Sequence, residues 1–178
     1  KHGVDYLKSK QNQDGTWPGD RQYQMGVSPL VTLALLNAGE PLDSPTMRSA
    51  MLHIRKLEAY STYTTSLQVM VLSSAEPKRD QQLIRRNVEW LTKSAHRYRT
   101  QYGEAVSWRY TPNSGSYDNS NAQFAVLALR EAERAGVILP DAFWNSVANH
   151  FRACQAGDGG WAYTPGTRAT GSMTTAGI

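Results

Sequence analysis

Cysteine occurs once in the 178 residues, at Cys154, so no disulfide can close within the chain and the fold rests on burial. Histidine is almost as scarce. His2, His53, His96 and His150 are scattered, no two of them lie at helical ligand spacing, and no Asp-x-Cys pair accompanies them. A zinc site needs convergent ligands, so neither a metal nor a cofactor is expected. Long apolar runs are missing too: the best, 31–36, is interrupted by Thr32 and falls far short of the ~20 residues that span a bilayer. No transmembrane segment is expected. Charge of one sign is not concentrated either, with 19 Lys+Arg against 15 Asp+Glu. The densest basic stretches, at 78–79, 85–86 and 93–99, fall on and just after a helical pattern, which reads as solvated surface rather than a nucleic-acid interface. P-loop, GxSxG and HExxH motifs are absent. The opening Lys1-His2-Gly3 has no methionine and reads as a processed or truncated start, which leaves the compartment open.

What the chain does have is repetition. Apolar residues make up 40% of it, a globular share. The segment Leu7-x-x-x-Gln11-x-x-Asp14-Gly15-Thr16-Trp17 returns as Phe151-x-x-x-Gln155-x-x-Asp158-Gly159-Gly160-Trp161. A second echo sets Trp108-Arg109-Tyr110-Thr111-Pro112 against Trp161-Ala162-Tyr163-Thr164-Pro165. Ser28, Ser120 and Ser172 follow Trp17, Trp108 and Trp161 by 11, 12 and 11 residues. Apolar stretches after two of these serines end in Ala38-Gly39 and Ala135-Gly136.

Each unit reads as a helical hairpin of roughly 50 residues. Val4 and Leu7, then Phe143, Val147 and Phe151, have the spacing of first helices over 3–10 and 143–154. The Asp-Gly pair breaks each helix, because glycine takes the left-handed conformation a tight turn needs. More apolar second helices carry Leu30, Leu33 and Leu36, then Phe124, Leu127 and Leu129. Ser120 with Gln123, and Thr65 with Gln68, have capping-box spacing. Second helices are therefore expected to begin at Ser28, Thr65, Ser120 and Ser172, with Gly39 and Gly136 as C-terminal caps.

Four units can be drawn within one domain over 1–178: about 1–40, 41–77, 78–139 and 140–178. The second, with helices over 49–57 and 65–74, has lost its Gln and Trp. In the third, whose first helix covers 81–94, Ala95 replaces the glutamine and Trp108 comes 13 residues later rather than 6. The extra residues fall in 96–119, a polar stretch without helical periodicity and the segment most suspected of being a functional loop. The expected fold class is all-α, with about three and a half hairpins.

These residues resemble the QW-type repeat of the squalene-cyclase and protein-prenyltransferase superfamily. Its pattern is an apolar residue, three more residues, Gln, and a turn with Gly-x-Trp. The match is good at Gln11, Asp14, Gly15 and Trp17 and at Gln155, Asp158, Gly159 and Trp161. It is weak at Trp108 and absent in the second unit. The resemblance implies an α/α toroid, here an open arc and a fragment whose exposed ends would favour self-association. It also implies that the motif is structural. A glutamine amide can bridge loop backbone to the next helix terminus, and a tryptophan offers a large apolar face with one N–H. Such residues identify a fold, not a reaction.

Class II cyclases of this superfamily protonate their substrate with a DxDD motif near the start of an inner helix. The corresponding place in the third unit reads Asp118-Asn119-Ser120-Asn121, which keeps only the first acid. Asp118 is the sole catalytic candidate, and a turn or cap is its plainer role. Cys154, directly before Gln155, is expected to point into hairpin packing. If the second helices start on one side of the ring, their free N–H groups would favour an anion or polar head group. Tyr23, Tyr60, Tyr63, Trp108 and Tyr117 would line that mouth, with Asp118, Asn119, Asn121 and Gln123 as polar contacts. Two functions follow. One is a non-catalytic module that binds an apolar or polar-headed small molecule, or a protein partner, at the ring mouth. The other is part of a class II terpene cyclase whose acid lies outside this chain.

Overall fold

The computed structural model describes residues 2–22 and 25–178. Its elements follow in the order α1 (His2–Ser9), α2 (Val27–Asn37), α3 (Pro45–Ile54), α4 (Thr62–Ala75), α5 (Gln81–Ser94), β1 (His96–Thr100), β2 (Gly103–Ser107), α6 (Asn119–Arg134), α7 (Asp141–Cys154) and α8 (Gly171–Gly177). The chain is mostly helical, with one two-stranded antiparallel sheet. Among the described residues, no helix is long and apolar enough to cross a membrane.

The all-α expectation holds in outline, with one small sheet added among the described residues. Residues 96–107 form a hairpin in which His96 pairs with Ser107 and Thr100 with Gly103. Alternation in the strand His-Arg-Tyr-Arg-Thr leaves Arg97 and Arg99 exposed while His96 and Tyr98 turn inward.

The even-numbered helices pack in succession, α2 on α4, α4 on α6 and α6 on α8, with the α4–α6 contact the most extensive. Helix α4 is buried along most of its length. Against it α6 presents Ala122, Ala125, Ala128 and Ala132, all fully buried, and small side chains let the two helices come close. Helix α5 is amphipathic, turning Ile84, Val88 and Leu91 inward from a polar outer face. Helix α7 lies mainly on the hairpin, chiefly on β2.

Helix starts differ from the expected positions. Ser61, not Thr65, caps α4 by accepting from the Thr64 N–H, and Asp118, not Ser120, caps α6 through the Asn121 N–H at 2.8 Å. Thr170, not Ser172, caps α8, and α2 begins at Val27 beside Gly26. Both expected capping boxes therefore lie inside their helices. Gln68 instead lies buried in α4, where its Nε2 donates to the carbonyls of Ile54 (2.8 Å) and Leu57 (3.1 Å) and its Oε1 accepts from Asn87 (2.8 Å). It closes the free end of α3 in the unit that lacks the Gln-Trp turn. At the other ends, Gly39 and Gly136 adopt φ +81° and +87°, and the N–H groups there bond back across the last turn as in a Schellman motif.

The tryptophan turns share one bond. Trp17 Nε1 donates to the Leu7 carbonyl at 2.7 Å, Trp161 Nε1 to Phe151 at 2.9 Å, and Trp108 Nε1 to Leu91 at 2.8 Å. Each acceptor precedes the Gln position, or Ala95 in its place, by four residues. The hairpin 96–107 thus lies between α5 and Trp108 without displacing the tryptophan from the end of that helix. Gln11 and Gln155 each donate to the glycine carbonyl of their own turn, and Gln11 also reaches the Thr46 carbonyl at the start of α3 (3.0 Å). Gly15, at φ +86°, packs so tightly on α3 that a Cβ there would run into the Ser49 carbonyl.

Candidate functional site

Because α2, α4 and α6 run side by side, their N-terminal ends meet around a cleft of about 480 Å³. Gln22, Gly26, Val27 and Leu30 line it from the start of α2, Tyr63 from α4, Ser120 and Asn121 from α6, and Tyr110 from the segment between β2 and α6. The volume lies within the roughly 300–1,000 Å³ of small-molecule sites. Tyr63 is held edge-on against Phe124, with centroids 4.6 Å apart, and burial pushes its phenol above the ordinary range. At the rim, the Tyr110 and Tyr163 hydroxyls lie 2.8 Å apart, joining equivalent tyrosines of the two Trp-x-Tyr-Thr-Pro segments.

Of the candidates named from sequence, the cleft gathers Tyr63 and Asn121. Tyr23 lies outside the described residues. Trp108 is fully buried beneath the hairpin, so it does not line the mouth: its indole N–H is taken by Leu91. Tyr60 is exposed, and Gln123 is half-buried away from the lining. Tyr117 is stacked with His96 and Tyr98, at centroid distances of 5.3 and 5.0 Å. Asp118 is buried as the α6 cap, its Oδ1 accepting from the Asn121 N–H and its Oδ2 from Asn121 Nδ2, both at 2.8 Å. Tyr110, Gln22, Leu30 and Ser120 were not among the candidates. The repeated Tyr two residues after Trp was the available signal for Tyr110, whereas Leu30 read only as core.

Asn119 belongs to a second, buried cluster. Its Nδ2 donates to the Ala162 carbonyl at 2.8 Å, which leaves Oδ1 to accept from His150 Nε2 at 2.9 Å. That assignment puts the imidazole proton on Nε2, so Nδ1 accepts from the Tyr98 hydroxyl at 2.7 Å. Burial holds His150 neutral, its pKa lowered to about 4, and raises Tyr98 well beyond the ordinary phenol range. Cys154 Sγ lies 3.6 Å from His150 Nδ1. Thiol, imidazole and amide are the parts of a cysteine nucleophile site, but a nucleophile needs a depressed thiol pKa and access. Here burial raises the thiol, against a smaller lowering by Tyr98, and Cys154 packs with Trp161 and Met173. The cluster is a lock that ties β1, the start of α6 and α7 together.

A third arrangement sits at the first junction. Asp20, buried, accepts from the Ser28 N–H at 2.9 Å with Oδ1 and faces His53 Nε2 at 3.4 Å with Oδ2. The second distance is long for a hydrogen bond, so the contact is electrostatic and depends on a proton on His53. Burial raises the Asp20 carboxyl, but the interactions with His53 and Ser28 outweigh it and leave the pKa below the ordinary value. Among the described residues, no group of three or more His, Cys, Asp and Glu side chains could hold a metal ion.

No family model matches the chain, and no curated protein or solved structure matches it.

Proposed function

We propose that this chain is an arc of an α/α toroid of the squalene-cyclase and prenyltransferase type that binds an apolar small molecule in the cleft at the starts of α2, α4 and α6. It carries out no chemistry with the residues described. The cleft carries the reading: Val27 and Leu30 supply apolar walls, Tyr63 and Tyr110 aromatic faces, and Ser120 and Asn121 a polar end. The repeated tryptophan bond to the helix end supports the hairpin-repeat assignment. The acid at the start of α6 is engaged as a cap on both oxygens, which favours binding over catalysis.

The test is incubation with squalene and with farnesol, followed by gel filtration and product analysis by mass spectrometry. Unchanged lipid is expected to co-elute with the protein, and with Tyr63→Ala at least several-fold less of it. A cyclised or otherwise altered product would overturn the non-catalytic part. Absence of any bound lipid would overturn the ligand part.

A further inference from the structure

If the cleft is a ligand site, as proposed above, its walls also choose the head group. We infer that the polar end of the ligand is an uncharged hydrogen-bond donor, an alcohol or a primary amide, rather than a phosphate or carboxylate.

Helix N-termini ordinarily favour anions, because their first N–H groups lack partners and the dipole is positive there. At this cleft the protein has already supplied an acceptor to one N–H of each helix, while the N–H groups of Val27, Tyr63 and Ser120 have none among the described residues. The Ser28 N–H on α2 is taken by Asp20, the Asn121 N–H on α6 by Asp118, and the Thr64 N–H on α4 by the Ser61 hydroxyl. Two of these caps are carboxylates, so the dipoles of α2 and α6 are already answered by negative charge. No Lys or Arg is among the described residues that line the cleft. An anion would leave water for neutral donors alone, with no cation in the lining and two carboxylates behind the wall.

Asn121 supplies the positive half of the argument. Its side chain lines the cleft while only 3% of the residue is exposed. Nδ2 is fixed on Asp118 Oδ2 at 2.8 Å, which sets the orientation of the amide. Its Oδ1 accepts no hydrogen bond from any described residue. An amide oxygen without a partner, on a residue that lines the cleft, calls for a donor. An alcohol O–H meets it and accepts in turn from Ser120 or Tyr110. An ammonium would also donate, but no carboxylate lines the cleft to offset its desolvation.

The experiment holds the tail constant and varies the head. Binding of 1-decanol, decyl phosphate and decylammonium to the full chain is measured by titration calorimetry at neutral pH. Decanol is expected to bind at least ten-fold more tightly than either charged probe. Asn121→Leu, which keeps the volume and removes the acceptor, is expected to abolish that preference. Charged probes that match or exceed decanol on the unaltered protein would overturn the inference while leaving the cleft a ligand site. Binding of none of the three would overturn both. The comparison on the unaltered protein decides the matter even if Asn121→Leu does not fold.

Discussion

Two histidines, one on α3 and one on α7, face the starts of α2 and α6, and opposite chemistry holds them. His53 on α3 looks at the carboxylate of Asp20 beside the first turn of α2. His150 on α7 looks at the amide of Asn119, the first residue of α6. The His53 side chain keeps 14% of its surface exposed and its contact strengthens with a proton, whereas His150 is fully buried, neutral and bonded on both nitrogens. One junction is charged, with the His53 ring partly exposed; the other is dry and depends on a single tautomer. The same residue type thus joins α3 to the start of α2 and α7 to the start of α6 by two routes, and the two routes should respond differently to truncation and to acid.

Truncation gives the largest expected contrast. His150→Ala would strand the buried Tyr98 hydroxyl and the Asn119 oxygen and open a cavity, at a cost of about 3–5 kcal/mol. His53→Ala leaves Asp20 with its Ser28 bond and some access to water, and should cost only about 1–2 kcal/mol. Urea denaturation at pH 7 measures both. Equal losses would erase the distinction between the junctions.

Acid sharpens the same contrast. The unfolded chain takes up the His150 proton near pH 6.5, the folded one only near 4. Stability is therefore held above about pH 6.5 and declines as the pH falls towards 4. At about 1.4 kcal/mol per pH unit, the expected loss is about 3 kcal/mol. His96, lowered by burial and by the neighbouring Arg109, adds to the loss in that direction. Asp20 acts in a lower window: its contribution is present above the ordinary carboxylate pKa and is lost as the pH falls through its depressed value. His150→Gln should flatten most of the decline between pH 6.5 and 4 in melts followed by circular dichroism. A decline of unchanged depth would place the acid sensitivity elsewhere.

Asp20→Asn tests the charged junction alone. Asparagine still offers the Ser28 N–H an acceptor, so only the electrostatic contact with His53 is removed, and the expected loss is about 1–2 kcal/mol. Urea denaturation at pH 7 measures it, and no loss relative to the unaltered chain would mean that Asp20 serves purely as a cap.

These pairings show why part of the molecule is readable from sequence and part is not. The glycine stops at Gly39 and Gly136 and the span of α5 rest on local chemistry, and local chemistry shows along a chain. The 96–107 hairpin is not legible as strands because only its inward His96 and Tyr98 alternate with arginines, a pattern too short and too polar to announce burial. Helix starts move because Ser61 and Asp118, one turn or less upstream, compete for the same free N–H groups as Thr65 and Ser120. Tyr63 and Asn121 are legible because they sit within a turn of those starts. Tyr110 enters the cleft through tertiary packing, its carbonyl taken by the Thr62 N–H on α4, and nothing local foretells that contact.

The smallest predicted difference lies within the repeat motif. Gln11 and Gln155 occupy the same position and make the same bond to their own turn, yet they carry different loads. Gln11 is half-buried, and its second bond, to the Thr46 carbonyl, fastens the turn after α1 to α3 where Gly15 presses on Ser49. Gln155 is exposed, and its amide donates to the Gly159 carbonyl at 2.9 Å. Removing the first amide should cost about 1–1.5 kcal/mol and removing the second about 0.5 kcal/mol or less, because an exposed carbonyl returns to water. Gln11→Ala and Gln155→Ala, compared by urea midpoint, measure the gap. If the two losses are equal, the glutamine works only inside its own turn, and the junction with α3 is held by Gly15 and the Asp20–His53 contact instead.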